Sequence, residues 1–518
     1  MTSTTPSARL SSTIVDLLTA HLSGSGPEVT NFAPATGEPL ATLRHSLPGD
    51  VTAAVSTARR AQQRWAATAP RDRRAPFLRF HDRILTDATA LDIVQAETGK
   101  ARANAFEEVL DAAGVALYYG RRAPKFLAPR NRAGAIPFAT RTHELRKPKG
   151  LVAVISPWNA PLSLGIVDII PALLAGNAVI HKPATQTALT ALYARNVLVE
   201  AGLDPDLWQI VVGSSSVVGT PVIDNADHIC FTGSSAAGRI IARQAADRLI
   251  GCCLELGGKN PMIILDDADI AKAIKGAVRA CFGHTGQLCL GIERIYVASS
   301  RYDEFVDRFA AATEQLVLGR GLNYSYDIGP LANTAQLDTV TRHIADARAA
   351  GATVRTGGRA RPDIGPLFHE PTILENVTPD MEVCAEETFG PVVSVYRFDS
   401  EDDAVALANS TQYGLNASIW TENLAHGRRL AARIRCGTVN INEGYGSAYA
   451  SNDAPMGGMG ASGLGRRHGI QGLLAYTEPQ TVASQQLIGF DPPPGFTPQR
   501  HVDLLRTTFQ LAKLFRLK

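Results

Sequence analysis

The sequence contains few cysteines, and their number is odd. Seven occur among 518 residues, at positions 230, 252, 253, 281, 289, 384 and 436. No pair has the spacing of a metal knuckle, so neither a secreted disulfide framework nor a metal site is expected. Free thiols are typical of a reducing compartment, and we therefore predict a cytoplasmic protein.

The sequence also lacks long apolar runs and a predominance of one charge. No stretch of about 18 apolar residues occurs, so no integral membrane span is expected. The N-terminal segment MTSTTPSARLSSTIVDLL has no apolar core followed by a cleavage site, and it does not predict a secretory signal. The 51 Lys and Arg residues nearly balance the 49 Asp and Glu residues, which argues against nucleic acid as a partner.

The chain is long enough for two to four domains, at about 100–200 residues per domain. Apolar residues recur at helical spacing through 51–66, 73–99 and 102–120, so the N-terminal region is predicted to be mostly helical. Segment 121–137 is rich in Pro, Gly and Arg, which predicts a linker or an exposed excursion. Segment 138–150 predicts a short polar hairpin.

From residue 151, apolar strand-like runs alternate with helical stretches. Buried strands are predicted at LVAVIS (151–156), NAVIHKP (177–183), WQIVVG (208–213), HICFTG (228–233) and CCLELGG (252–258). A second alternating region contains PMIIL (261–265), IERIYVA (292–298), TVRTGG (353–358) and VVSVYRF (392–398). This alternation predicts an α/β fold with parallel, doubly wound sheets in two Rossmann-like lobes that join near 258–262.

The segment FGHTGQLCLGIER (282–294) places a cysteine after a Gly-containing turn and just before a strand. A sharp turn exposes the Cys289 side chain together with its own backbone N–H, as a nucleophile that also binds an oxyanion requires. From this segment alone, a small buried apolar residue is the alternative interpretation.

Two further segments carry candidate catalytic groups. In LELGGKN (254–260), Glu255 lies in an apolar run before two glycines, where burial raises a carboxyl pKa and favours a general base. In ISPWNAPL (155–162), two prolines hold the chain around Asn159, whose amide is a candidate oxyanion donor. The alternatives are a solvent-facing glutamate at a strand end and a surface asparagine in a turn.

Three more segments suit phosphate or ribose. FTGSSAAGRI (231–240) ends a strand and opens a helix, whose free N–H groups bind phosphate, and VGSSSVVG (212–219) has a similar character. HKPAT (181–185) ends another strand with Lys182, a candidate for a phosphate or a ribose hydroxyl. All the candidate segments lie where predicted parallel strands end, the edge at which such sheets bind ligands.

In this order, the segments resemble the aldehyde dehydrogenase superfamily, from about residue 30 to 485. The motifs are PWN (157–159), KPAT (182–185), FTGSSAAG (231–238), ELGGKNP (255–261), GQLC (286–289), EETFGP (386–391) and GGMGASGLGRRHG (457–469). The resemblance implies that Cys289 attacks the aldehyde to give a thiohemiacetal and then a thioester. It implies that Asn159 and the Cys289 N–H hold the oxyanion, and that Glu255 activates the hydrolytic water.

The resemblance also implies a set of cofactor-binding residues. Lys182 would hold the adenosine ribose, Gly233 and Ser234 the pyrophosphate, and Glu387 and Phe389 the nicotinamide. The complete set is Ser156, Pro157, Trp158, Lys182, Thr185, Gly219, Thr232, Gly233, Ser234, Leu256, Glu387 and Phe389.

The cofactor is predicted to be NADP, with NAD as a second choice. Relatives that prefer NAD commonly carry Glu three residues after the lysine, where this chain has Thr185. A neutral hydroxyl does not repel a 2′-phosphate, and Lys182 can pair with it. The presence of Glu255 favours hydrolysis to the free acid over transfer of the acyl group to coenzyme A.

The overall pattern is similar to bacterial NADP-dependent succinate-semialdehyde dehydrogenases. Their best-known members carry two arginines for the substrate carboxylate, but this chain has Val167 and Gly283 at those positions, and Met456 replaces a pocket phenylalanine. Oxidation of neutral aliphatic or aromatic aldehydes is therefore an alternative to succinate semialdehyde. A coenzyme A-acylating relative and a non-enzymatic binding protein are further alternatives.

The resemblance implies a division of the chain and a homo-oligomer, either a dimer or a tetramer. Residues 1–137 and 151–258 would form the dinucleotide-binding domain, and 259–473 the catalytic domain. Residues 138–150 and 474–486 would form the oligomerisation element. A C-terminal extension at 487–518 would carry a basic amphipathic helix.

Overall fold

The N-terminal region is mostly helical in the computed structural model, which describes residues 10–20, 22–136, 139–486 and 489–514. Helix α3 shows why: Phe77, Phe80 and Ile84 fall on one face of the helix and are all fully buried. The elements of this region are α1 (Ser12–Thr19), β1 (Glu28–Phe32), β2 (Pro39–Arg44), α2 (Pro48–Ala67), α3 (Ala75–Ile84), α4 (Ala88–Thr98), α5 (Arg102–Leu127), β3 (Arg130–Arg132) and β4 (Thr140–Pro148).

The prediction of a linker or exposed excursion at 121–137 is wrong for residues 121–127, because α5 continues to Leu127 despite Pro124. Ala123 and Leu127 are buried and extend the apolar face of the helix. Burial against the rest of the domain outweighs the helix-breaking tendency of a single proline.

A six-stranded sheet follows, and three of its strands, β5, β6 and β8, match predicted runs to within two residues, whereas β7 and β9 each end three residues before the predicted run does. Its order is β17-β9-β8-β5-β6-β7, and all neighbours are parallel except β17 and β9. The elements from 151 to 255 are β5 (Leu151–Ser156), α6 (Pro161–Ile166), α7 (Ile169–Leu174), β6 (Ala178–Pro183), α8 (Ala188–Glu200), β7 (Trp208–Ile210), α9 (Thr220–Asp224), β8 (His228–Thr232), α10 (Ser235–Asp247) and β9 (Gly251–Glu255).

A seven-stranded sheet forms the second lobe, in the order β12-β13-β14-β11-β10-β15-β16. Only β12 and β13 pair antiparallel. The elements are β10 (Asn260–Ile264), α11 (Ile270–Phe282), β11 (Ile292–Ala298), α12 (Tyr302–Glu314), α13 (Thr334–Ala349), β12 (Thr353–Thr356), β13 (Thr372–Glu375), α14 (Glu382–Ala385), β14 (Val392–Phe398), α15 (Glu401–Ala408), β15 (Asn416–Trp420), α16 (Leu424–Ala431), β16 (Thr438–Ile441) and α17 (Gly446–Tyr449). The predicted α/β class with two Rossmann-like lobes is confirmed.

The chain then returns to the first lobe. Its last elements are β17 (Gly463–Leu464), α18 (Gly469–Leu474), β18 (Thr477–Gln485) and α19 (Pro498–Leu514). The short β17 pairs Gly463 with Glu255 and Leu464 with Leu254. The glycine-rich tail therefore passes directly beside the strand that carries Glu255.

The hairpin predicted within 138–150 is instead one continuous strand, β4. It is the central strand of a three-stranded antiparallel sheet, between β3 and β18. Its register with β18 runs from Thr140 opposite Gln485 to Pro148 opposite Thr477. A partner strand more than 300 residues away in the sequence decides this pairing, so the local polar pattern does not reveal it.

No helix in the described residues is long and apolar enough to cross a membrane. The predicted C-terminal helix is present as α19, with Ala512 and His501 buried. The predicted boundaries at 137, 138 and 487, the N-terminal residues 1–9 and the chain end at 515–518 lie outside the described residues.

Candidate active site

The carboxyl ends of β5, β6, β8 and β9 meet at one edge of the first sheet. The parallel register places Ile155 beside Lys182 and Thr232 beside Glu255. A parallel sheet forces this arrangement, because every strand ends on the same side. Residues far apart in the sequence are thereby brought to one edge.

A cleft of about 270 Å³ runs along this edge and is closed on its other side by residues of the second lobe. Asn159, Glu255 and Cys289 all line it. Eight of the predicted cofactor residues line it as well: Pro157, Trp158, Thr232, Gly233, Ser234, Leu256, Glu387 and Phe389.

Helix α10 begins at this cleft. Ser234 is its N-cap, with an extended backbone and an Oγ that accepts the Ala237 N–H at 3.3 Å. The other N–H groups of the first turn and the positive end of the helix dipole suit a phosphate. This donor set fits the pyrophosphate of a dinucleotide.

Four predicted cofactor residues lie outside the lining of the cleft. Lys182 is buried at the end of β6, where desolvation lowers its pKa, and no carboxylate of the described residues pairs with it. Thr185 donates to the Gly213 carbonyl at 3.2 Å, and Gly219 ends a turn of π-helix. An unpaired buried ammonium suits an anionic ligand group such as a phosphate.

Ser156 differs from the other predicted cofactor residues, because its hydroxyl is hydrogen-bonded to a side chain of the neighbouring strand. Its Oγ lies 2.7 Å from Nε2 of His181, and both side chains are buried. Any contact of Ser156 with a ligand must therefore come from its backbone.

The loop that carries Glu387 and Phe389 is held in place by hydrogen bonds to a buried carboxylate. Glu293 accepts the backbone N–H groups of Thr388 and Phe389, each at 2.9 Å, and pairs with Lys259 at 2.5 Å. This support explains how Phe389 keeps a left-handed backbone, with φ at 54°.

Glu387 reaches back to the ELGG turn of the first lobe. Its Oε1 accepts the Gly258 N–H at 2.9 Å. A Cβ at Gly257 would lie 2.2 Å from its Oε2, so a side chain there would displace the Glu387 carboxylate. Burial raises the pKa of Glu387 to about 8.

The sharp turn predicted before Cys289 is present. His284, Thr285 and Gly286 all have left-handed backbones, with φ of 54°, 59° and 68°. A Cβ at Gly286 would lie 2.0 Å from a carbonyl oxygen of the 387–391 loop, which requires glycine. The Asn260 amide donates to the Cys289 carbonyl at 2.7 Å and fixes the end of the loop.

The Cys289 thiol is half-buried, and its surroundings keep it protonated at neutral pH. Desolvation raises its pKa to about 12, and the nearby Glu387 and Glu255 carboxylates act in the same direction. The backbone N–H of Leu290 opposes this shift. Attack by this sulfur therefore requires a group that accepts the thiol proton.

Glu255 has the properties of a proton acceptor. It is 3% exposed, and neither of its carboxylate oxygens has a hydrogen-bond partner among the described residues. Burial raises its pKa to about 8, while the charge of Arg467 partly offsets that shift. The raised pKa and buried position predicted for Glu255 are confirmed.

The prediction missed the buried ion pair of Arg467 and Asp168, which lies next to Glu255. Arg467 Nε donates to Asp168 Oδ1 at 3.0 Å, and its Nη2 contacts both Asp168 and Thr232. Tyr476 donates its hydroxyl to the same carboxylate at 2.9 Å. The only sequence signal was the glycine-rich tail around Arg467, which does not reveal its partner.

Asn159 faces the cysteine loop. Its Nδ2 donates one N–H to the Gln287 carbonyl at 3.0 Å, which fixes the amide and leaves the second N–H for another acceptor. No acceptor among the described residues pairs with the Cys289 backbone N–H. Two donors beside one sulfur are what an oxyanion hole requires.

A second cavity, of about 520 Å³, meets the cleft at Cys289 and Glu255, which line both. His284 and Met456 also line this second cavity, so the residue that replaces the pocket phenylalanine does lie at its wall. Val167 is buried and does not reach it.

The arginines at the wall of the second cavity are paired with carboxylates. Arg279 lies between Glu107, at 3.1 Å, and Glu443, at 2.6 Å, with its guanidinium over the Tyr445 ring. Arg467 is held by its own carboxylate partner. Both arginines that line the cavity in the described residues are therefore already compensated.

Trp158 and Arg294 are both held by contacts within the protein. The Trp158 ring packs edge-on against Phe389, with centroids 5.6 Å apart. Arg294 donates to the backbone carbonyls of Lys259, Leu407 and Ala408. Three carbonyls satisfy a buried guanidinium without a carboxylate.

Comparison with known proteins agrees with this geometry. The family model described as the aldehyde dehydrogenase family matches residues 21–482. A Mycobacterium tuberculosis protein, provisionally named an NADP(+)-dependent succinate-semialdehyde dehydrogenase, is 50% identical over 461 residues, which cover 89% of each chain. A Mycolicibacterium smegmatis protein with a similar provisional name is 49% identical, over 89% of this chain and 90% of its own.

Solved structures show the same fold. The crystal structure of succinate-semialdehyde dehydrogenase from Burkholderia pseudomallei superposes with a TM-score of 0.85 at 34% identity, covering 89% of this chain and 95% of that chain. Sequence, fold and the meeting of a cysteine, a glutamate and an asparagine at one junction all agree. The chain belongs to the aldehyde dehydrogenase family, and it is an aldehyde dehydrogenase.

Proposed function

We propose that this chain oxidises an aldehyde to the free carboxylic acid through a thioester on Cys289, with NADP as the hydride acceptor. The observation that carries the proposal is that two cavities meet at Cys289 and Glu255. One cavity has the donor set of a dinucleotide site, and the other is open to a small molecule. Chemistry at their junction can involve both ligands.

In the proposed reaction, the Cys289 thiol loses its proton to solvent, and its sulfur adds to the aldehyde carbon to form the oxyanion of a thiohemiacetal. The Asn159 amide and the Cys289 N–H donate hydrogen bonds to the developing oxyanion. NADP held by the cleft residues would supply the hydride acceptor for oxidation of this thiohemiacetal to a thioester on Cys289. Glu255 then accepts a proton from a water molecule, which attacks the thioester and releases the acid and the thiol.

The placement of the cleft residues supports a proposed cofactor site. The first turn of α10, with Gly233 and Ser234, would hold the pyrophosphate, and Lys182 and Thr185 would hold the adenosine ribose. Glu387 and Phe389 would position the nicotinamide ribose and ring. The walls would be formed by Ser156 through its backbone, and by Pro157, Trp158, Gly219, Thr232 and Leu256.

The preference for NADP can be reversed at Thr185. In the T185E variant, a carboxylate would repel the 2′-phosphate and could accept a hydrogen bond from the 2′-hydroxyl of NAD. We expect kcat/KM with NADP to fall by at least about tenfold while kcat/KM with NAD is retained. Steady-state assays with each cofactor at saturating aldehyde measure the ratio.

The T185S variant is the matched control, because it keeps a neutral hydroxyl and should keep the parent ratio. A parent enzyme that prefers NAD by about tenfold or more would overturn the proposed preference. The relatives named as NADP(+)-dependent support the same cofactor.

Succinate semialdehyde is the first candidate substrate, because relatives of this chain are named for it. A specific observation supports neutral aldehydes as the second candidate. Neither Val167 nor Gly283 can pair with a carboxylate, and the arginines at the cavity wall are already paired.

An aldehyde panel decides between these substrates. We expect NADPH formation, read at its absorbance band, with succinate semialdehyde and with aliphatic and aromatic aldehydes of similar length. If the semialdehyde does not exceed the neutral aldehydes in kcat/KM, the succinate-semialdehyde candidate fails. If no aldehyde yields NADPH or NADH, the proposed reaction fails.

The remaining proposals concern organisation. We propose that 1–137 and 151–258 bind the dinucleotide, that 259–473 supply the nucleophile, and that 487–518 form an extension. The sheet formed by β3, β4 and β18 is the proposed oligomerisation element of a homodimer or homotetramer. Seven cysteines without a disulfide support the reducing cytoplasm as the compartment.

A further inference from the structure

A buried lysine that the reaction scheme does not use lies directly behind Asn159. Lys100 is 4% exposed, and it lies in the turn between α4 and α5. Its ammonium donates to the Asn159 backbone carbonyl at 2.6 Å. It also pairs with the buried Glu108 carboxylate and lies 3.2 Å from Nδ1 of His284. A charged group so deeply buried needs this complete set of partners.

Glu108 connects the same lysine to the chain that follows Asn159. Its second carboxylate oxygen accepts the N–H groups of Leu162 at 2.9 Å and Ser163 at 3.3 Å. These N–H groups belong to the first turn of α6, directly after the PWN segment. The Lys100–Glu108 pair therefore holds the backbone of Asn159 and the helix that follows it.

His284 connects the lysine to the cysteine loop and to the cavity wall. Because an ammonium can only donate, Nδ1 of His284 must accept from Lys100, which leaves the ring proton on Nε2. Nε2 lies 3.3 Å from the Glu107 carboxylate. The His284 backbone N–H donates to Asn104 at 3.0 Å. One ammonium thus links the Asn159 segment to the turn that presents Cys289.

We infer that Lys100 is a positioning residue for the oxyanion hole, acting through Asn159. This inference rests on the proposed role of Asn159. Lys100 holds the Asn159 backbone, while the amide is oriented by the Gln287 carbonyl at its other end. Donors aimed in advance at a developing charge lower the barrier most, because they do not reorganise during the reaction.

The test separates reactions of Cys289 that form an oxyanion from one that does not. Acylation by p-nitrophenyl acetate passes through a tetrahedral oxyanion, whereas alkylation by iodoacetamide is a direct displacement at carbon. In the K100M variant we expect acylation to slow by about tenfold to a hundredfold, as for other positioning residues. The alkylation rate of the Cys289 peptide, measured by mass spectrometry, should not change.

A double-mutant cycle shows whether Lys100 acts through Asn159. The N159A variant should slow acylation by about 10²–10³-fold. If Lys100 acts only through that amide, K100M/N159A should be no slower than N159A alone. Multiplicative losses in the double variant would overturn the inference.

Two further variants guard against a general folding defect. K100M/E108Q removes both buried charges together, and it should show the same loss of acylation as K100M. R102M removes a cation two residues away that pairs with Asp92 and does not touch Asn159, and it should acylate at the parent rate.

The outcomes separate this inference from the proposed function. Parent-rate acylation in both K100M and K100M/E108Q, with a slow N159A, overturns the inference alone. A parent-rate N159A overturns the oxyanion assignment and this inference with it. Slowed alkylation in K100M/E108Q shows general damage to the site and overturns the positioning role.

Discussion

Replacement of Cys289 by alanine is expected to lower kcat/KM for aldehyde oxidation by at least about 10⁴-fold, because no other group can carry the acyl intermediate. NADP binding should be retained, since the cleft is lined mainly by residues of the strand ends and of the 387–389 loop. Turnover is measured by NADPH absorbance, and binding by calorimetry at saturating protein.

The matched control for this prediction is C252A. Cys252 is half-buried on β9 and lines neither cavity, so its removal should leave turnover close to the parent value. Substantial activity in C289A, or loss of activity in C252A with intact folding, would show that the nucleophile has been assigned to the wrong cysteine.

Replacement of Glu255 by glutamine is expected to separate the two halves of the reaction. Formation of the thioester should still release NADPH in a single burst equal to the enzyme concentration. Hydrolysis should then slow by about 10²–10⁴-fold, the usual contribution of a general base. Rapid-mixing absorbance resolves the burst, and mass spectrometry detects the acyl group on the Cys289 peptide.

The pH dependence of hydrolysis follows from the raised pKa of Glu255. Below its pKa of about 8 the carboxyl is protonated and cannot accept a proton from water. The hydrolysis rate of the parent should therefore rise with pH through about 8 and then level off, whereas E255Q should show no step in this range. A parent profile that falls across this range would contradict the assignment of Glu255.

A nucleophile stronger than water provides the control for E255Q. Hydroxylamine attacks a thioester without a general base, so it should restore turnover in E255Q and leave C289A inactive. A burst that is itself lost in E255Q would place the effect of this carboxylate before thioester formation. The defect would then lie in activation of the Cys289 thiol, whose pKa the same carboxylate helps to raise.

Five strands of the first sheet and four of the second could be predicted because an apolar run marks each locally, whereas β13, β15, β16 and β17 were not predicted. The continuous apolar run at 151–156 and the mainly apolar segment at 292–298 match observed strands residue by residue. Such runs occur where a strand is covered on both faces, as in parallel sheets. The segments that failed, 121–137 and 138–150, have a polar or proline-rich pattern whose structure depends on distant partners.

The principal residues of the site could also be predicted from the sequence immediately around them. Glu255, Asn159 and Cys289 each lie in a short segment with an unusual turn or strand end, and a parallel sheet brings such segments to one edge. Lys100, Glu108 and Arg467 carry no comparable signal. Lys100 and Glu108 are eight residues apart, and their other partners and the Asp168 partner of Arg467 lie 54 or more residues away in the chain.

The amino-acid order alone determined the α/β class, the two lobes and the segments that meet at the sheet edge, because hydrophobic periodicity and turn residues act over a few neighbours. Only the tertiary structure decided the pKa values of the catalytic groups and the contacts that hold their backbone in place. Burial sets the pKa values of Cys289 and Glu255, and buried ion pairs hold the backbone beneath them. Desolvation and pairing depend on groups brought together from distant parts of the chain, which no local pattern encodes.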